Sequence, residues 1–161
     1  MDDNAAMSSL QARMQSDLTA AMKARDETRT ATLRMALAAL STEQTSGKVA
    51  RELSDDDAVT VLNREVKKRR EAAQAYDGAG RTETAARERA EEAVLAEYLP
   101  AALSEAELRA LVDGAVADAA ASGVTGPEAM GVVMKSLQPQ VKGRADGSAV
   151  AAMVKAALAA G

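Results

Sequence analysis

In the stretch VKGRADGS, residues 141–148, two cations, Lys142 and Arg144, stand among two glycines and a carboxylate. A cationic, glycine-punctuated turn that opens into a helix is one way to hold a phosphate, because side-chain charge is joined there by exposed backbone N–H groups. Pro139 is expected to block the preceding helix, and Gly143 and Gly147 admit backbone conformations closed to other residues. Asp146 is placed to cap the helix that follows. A plain turn explains the glycines and the aspartate but does not require Lys142 and Arg144, so a solubilising turn and an anion site stand as two readings.

The densest run of charge is Arg64-Glu65-Val66-Lys67-Lys68-Arg69-Arg70-Glu71. On a helix, Arg64, Lys67, Lys68 and Glu71 lie on neighbouring turns of one face that could meet a phosphate backbone, while Glu65 can pair with Arg69 four residues on. A solvated helix face is the favoured reading, with Arg64, Lys67 and Lys68 kept as a secondary basic face. The acidic triplet Asp55, Asp56 and Asp57 follows Ser54 and suits the positive end of a helix dipole better than a magnesium ion. Glu91 and Glu92 are adjacent, so on a helix they point in different directions and do not form an acid/base pair. Met130, Met134 and Met153 fall at helical spacing and read as core filling.

Composition narrows the chemistry further. The 161 residues include no Cys and no His, which removes disulfides, thiol nucleophiles, most zinc sites and the usual neutral-pH general base. Neither GxGxxG nor GxxxxGK[ST] is present, and Gly78-Ala79-Gly80 follows a helical pattern, where a helix stop is expected. No catalytic residue, metal ligand or cofactor is therefore expected. The net charge of −4 is unevenly distributed: residues 129–161 carry Lys135, Lys142, Arg144 and Lys155 against Asp146 alone, a balance of +3. With 47% hydrophobic residues, no apolar run of membrane length and an acidic start, MDDNAAM, the chain reads as a folded cytoplasmic protein.

The elements that must position these residues are all helical. Leu10, Met14, Leu18 and Met22 recur every four residues, and Leu33, Leu37 and Leu40 follow a polar break at residues 26–28. A long helix is expected after Ser54 with Val59, Leu62, Val66, Ala73 and Tyr76 inward, and another from about Thr82 to Tyr98. Ser104 with Glu107, and Thr125 with Glu128, have the spacing of capping boxes. Leu108, Leu111, Val112 and Ala115, then Met130, Val133 and Leu137, then Val150, Val154 and Leu158 trace three further stripes. No segment alternates as a strand does. The expected fold is all-α: a disordered extension over residues 1–6, a four-helix part over 7–99, and a three-helix part over 100–161, divided at Tyr98-Leu99-Pro100.

In order along the chain stand Thr32-Leu33-Arg34-Met35, the basic helix Arg64 to Arg70, Gly80-Arg81, Tyr98-Leu99-Pro100, Met130-Gly131 with Met134, and Lys142-Gly143-Arg144-Ala145-Asp146-Gly147. This series resembles the GatB/YqeY family, stand-alone helical proteins similar to the C-terminal tail of the B subunit of the glutamine-dependent tRNA amidotransferase, a carbon–nitrogen ligase. In that enzyme the tail helps hold tRNA, while phosphorylation and amide formation occur in other regions and another subunit. The resemblance implies a tRNA-binding accessory protein acting in translation without catalysis of its own. Lys142, Gly143, Arg144, Asp146 and Gly147 are the implied contacts, and Lys135 and Lys155 join them on charge. A translation-related protein partner is possible under the same resemblance, and neither DNA nor a membrane is expected. Only Tyr76 and Tyr98 could stack a base, and Tyr98 is expected to anchor the hinge, so contact should follow backbone shape. A helical protein-interaction module and an amidotransferase component are the alternatives.

Overall fold

The computed structural model describes residues 8–161, and the extension expected at residues 1–6 lies outside them. Those residues form seven helices and no strand. In order they are α1 (Ser9–Lys23), α2 (Glu27–Gln44), α3 (Asp55–Gly78), α4 (Thr82–Ala96), α5 (Glu105–Ala121), α6 (Pro127–Val141) and α7 (Gly147–Ala160). They divide into two compact units, one ending at Leu99 with α1–α4 and one spanning Pro100–Gly161 with α5–α7. Among the described residues no helix is long and apolar enough to cross a membrane.

Side-chain caps set most of the helix starts. The hydroxyls of Ser54 and Ser104 accept from the amides of Asp57 and Glu107, each at 3.1 Å, and both carboxylates return a bond to the cap residue's own amide. Asp26 caps α2 by accepting from the Arg29 amide, so the break before α2 ends at Asp26 and Thr28 is helical. The box expected at Thr125 does not form. Gly126 is the N-cap of α6, at φ 72° and with no side-chain bond, and Pro127 supplies the first helical residue.

Two further expectations change. Pro139 lies inside α6, which continues to Val141. The ring removes one N–H in the last turn, where the loss is a single bond, and the helix ends two residues later. Met22 is 50% exposed, whereas Met14 is fully buried and Gln11 and Ala21 share its face. Steps of four residues advance 400°, so an i+4 series drifts about 40° per step around the helix; Ala21, seven residues from Met14, returns to within about 20° of it.

The core of the first unit gathers Met14, Leu33, Leu40, Leu62, Leu95 and Tyr98. In the second unit Val112, Val133, Leu137, Val150 and Val154 are fully buried, with Met130, Met134 and Met153 packed against them as core filling.

Candidate functional site

The loop between α6 and α7 is built on a tight turn. Lys142 sits at φ −57°, ψ 123° and Gly143 at φ 74°, while the Arg144 amide donates to the Val141 carbonyl at 2.9 Å. This is type II turn geometry, whose third position requires positive φ and therefore favours glycine. Gly147 differs. It is the first residue of α7, and a Cβ there would meet nothing within 4 Å. Its sequence-based assignment to a special backbone conformation is therefore corrected.

Asp146 caps α7 as expected, accepting from the Ser148 amide at 3.2 Å and from the Ser148 hydroxyl at 3.1 Å. The carboxylate thus already occupies the Ser148 amide.

Arg144 is half-buried and turned back onto its own unit. Its Nε donates to the Ala101 carbonyl at 3.0 Å, and its carbonyl accepts from the Leu103 amide at 2.9 Å. Hydrogen bonds from the Ser104 amide and hydroxyl hold the Glu107 carboxyl below the usual carboxylate range, and the Arg144 charge adds to them. Lys135, Lys142 and Lys155 are exposed. Lys135 lies midway between the buried Val133 and Leu137, which sets it about 200° from each around α6, on the outward side. Lys155 is near the middle of α7, beside the buried Val154.

The secondary basic face on α3 is largely matched by acids. Arg64 pairs with Glu43 at 3.3 Å and Lys68 with Glu65 at 3.0 Å, around a groove of about 260 Å³ between α2 and α3. Lys67 is exposed. Arg69, which belonged to a solvated run in the sequence, is 4% exposed, bonded through Nε to Glu91 and through Nη1 to Glu65. Burial alone would raise the Glu65 carboxyl, but hydrogen bonds from Lys68 and Arg69, with their charges, hold it below the usual range. Glu91 and Glu92 diverge as adjacent helix residues must, the first to Arg69 and the second to Arg70.

The acidic triplet serves helix starts. Asp55 accepts from the Ser9 hydroxyl and from the Leu10 amide, joining the beginnings of α1 and α3, and Asp57 closes the Ser54 box. Among the described residues no group of three or more carboxylates is arranged to hold a metal ion.

Each tyrosine ring has a guanidinium over one face, and Tyr98 is buried besides. Tyr98 is 5% exposed with the Arg13 guanidinium 4.8 Å from its ring centre, and Arg81 lies 5.1 Å from that of Tyr76. The Tyr98 hydroxyl donates to Asp17 and accepts from Arg29, whose Nη1 pairs with Glu97 at 2.7 Å. Sequence reasoning missed this cluster and the inward turn of Arg144. The signal for Arg69 was present: it falls three residues after Val66 and four before Ala73, on the apolar stripe itself.

The sequence of these seven helices, with a glycine turn and a capping aspartate before the last, has a counterpart among known sequences. The family model for Yqey-like proteins matches residues 11–158. The chain belongs to the YqeY-like family. Its match spans both helical units and takes in the Lys142–Gly147 loop. No curated protein matches this YqeY-like chain.

Proposed function

We propose that the chain is an accessory protein that binds folded tRNA through cations of its C-terminal unit, without catalytic chemistry of its own. One observation carries this reading: Lys135, Lys142 and Lys155 are exposed, and the only acidic residue of segment 129–161, Asp146, is turned onto the start of α7. Resemblance to the amidotransferase tail, which helps hold tRNA, points to tRNA as the polyanion. Contact of this kind follows phosphate positions rather than base edges, and the burial of Tyr98 and the guanidinium over one face of Tyr76 agree with that. Three phosphate contacts give a salt slope of about −2.1 to −2.7, so affinity falls roughly 20- to 40-fold between 50 and 200 mM salt.

The test is binding of bulk folded tRNA across a salt series by the wild type and by a chain with Lys135, Lys142 and Lys155 all changed to Gln. Loss of most of the slope in the variant supports the surface. Equal slopes in the two proteins would refute it.

A second reading, a protein-interaction module, is favoured by Met22 and Met35, which are 50% and 54% exposed on the first unit. Protein capture that survives nuclease treatment and is lost on changing both methionines to Gln would establish it. Ammonia release from glutamine by the purified chain alone would replace both readings with an amidotransferase.

A further inference from the structure

We infer that Arg144 is the positioning residue of the Lys142 loop rather than one of its anion ligands, an inference that rests on the proposed tRNA reading and refines it. Three bonds fix the loop from both of its sides. The turn closes on Val141 through the Arg144 amide, the Arg144 carbonyl takes the Leu103 amide, and the Arg144 Nε reaches the Ala101 carbonyl. Segment 101–103 and loop 142–146 are thereby latched to each other through a single residue.

The last of these contacts takes the Arg144 Nε out of the N–H groups open to a phosphate. A guanidinium that recognises phosphate presents its fork outward for paired bonds. Here Nε points to a backbone carbonyl of the same unit, and the charge stands near Glu107, whose carboxylate offsets part of its outward field. Lys142 lies two residues earlier at a corner of the turn, so its backbone direction depends on the latch, while its side chain is exposed. In this arrangement Arg144 orients and Lys142 contacts.

Two readouts separate the roles. The slope of log affinity against log salt counts phosphate-contacting cations, at about 0.7–0.9 per cation. Hydrogen exchange at the Leu103 amide reports the latch whether or not RNA is present. Lys142→Gln should lower the slope by that amount and leave Leu103 protected. Arg144→Gln should weaken tRNA binding several-fold with the slope unchanged, and speed Leu103 exchange about two- to tenfold, the range of one lost net hydrogen bond. Arg144→Lys keeps the charge but not the guanidinium geometry, and serves if the Gln variant fails to fold. It should also loosen Leu103, and it should not restore wild-type affinity.

A slope loss of about 0.7–0.9 in Arg144→Gln would make Arg144 a ligand and overturn the inference. So would wild-type affinity together with undisturbed Leu103 exchange in either Arg144 variant. If the wild type binds no tRNA, the functional reading and the positioning role built on it both fall, while Leu103 exchange still decides whether the latch exists.

Discussion

Arg69 on α3 donates from Nε to Glu91 on α4 at 3.1 Å, joining two helices through a guanidinium that is 4% exposed. The same guanidinium donates from Nη1 to the Glu65 carboxylate at 3.1 Å, so two carboxylates and one cation share the α3–α4 seam. Removing the cation takes the Arg69 bond from Glu91 and leaves Glu65 with Lys68, in a site of limited solvent access. Arg69→Ala should therefore destabilise the chain by about 3–5 kcal/mol, whereas Glu91→Gln, which leaves Glu65 on the guanidinium, should cost about 1–2 kcal/mol. Urea unfolding monitored by helical circular dichroism measures both. A cost below about 1 kcal/mol for Arg69→Ala would mean that the guanidinium is solvated.

Tyr98 gives the fold an alkaline limit. Burial first, and then the hydrogen bond to Asp17 and that carboxylate's charge, push its hydroxyl up to about 12. The unfolded chain gives up this proton near pH 10, so the contribution is complete below about pH 10 and is lost as the pH rises to about 12. Water at the rim of the cluster screens the effect, which should amount to at most about 2 kcal/mol. Tyr98→Phe should lower stability at neutral pH by about 1–3 kcal/mol, because Asp17 and Arg29 lose a partner. Between pH 10 and 12 the wild type should decline toward the variant, and parallel stability curves across that range would contradict the assignment.

Much of this organisation was readable from residue order, and the exceptions share physical causes. Helix number, the Ser54 and Ser104 starts and the Asp146 cap depend on contacts within four residues, which sequence displays directly. Arg69 was hidden because its chemistry argued for solvent while its position argued for the core, and the partner that reconciles them, Glu91, is 22 residues away. Arg144 was hidden for the same reason, its latch to Ala101 spanning 43 residues. Met22 was misplaced by counting in fours along a helix of 3.6 residues per turn. The turn motif and the resemblance singled out Lys142 and Arg144 together, and charge alone added Lys135 and Lys155, but which cations of the C-terminal segment are held by their own fold is a tertiary property.

The two glycines of the Lys142 loop should respond oppositely to alanine. Gly143 occupies positive φ at the third position of its turn, so Gly143→Ala should cost about 1–2 kcal/mol and raise Leu103 exchange by straining the loop. Gly147 is helical with open space where a Cβ would stand, so Gly147→Ala should be neutral or should stabilise by up to about 1 kcal/mol. Thermal unfolding of the two variants beside the wild type checks this, and equal effects would remove the distinction between the positions.

Arg25 presents the reverse case, a side chain where the backbone favours none. It is the one described non-glycine residue at positive φ, 58°, at the end of α1. The Asp26 amide bonds to the Ala21 carbonyl at 3.0 Å and the Arg25 amide to that of Met22 at 3.2 Å, the pair of bonds that closes a helix through a left-handed residue. Gly80 makes the same closure after α3, with the Arg81 amide on the Tyr76 carbonyl, and there glycine carries the strain-free conformation. Arg25 is exposed, so replacing it removes little packing. Arg25→Gly should stabilise the chain by about 0.5–1 kcal/mol, the relief of a Cβ in the left-handed region less the greater freedom glycine gives the unfolded chain. A loss of stability on this substitution would show that the arginine side chain contributes a contact worth more than its backbone strain.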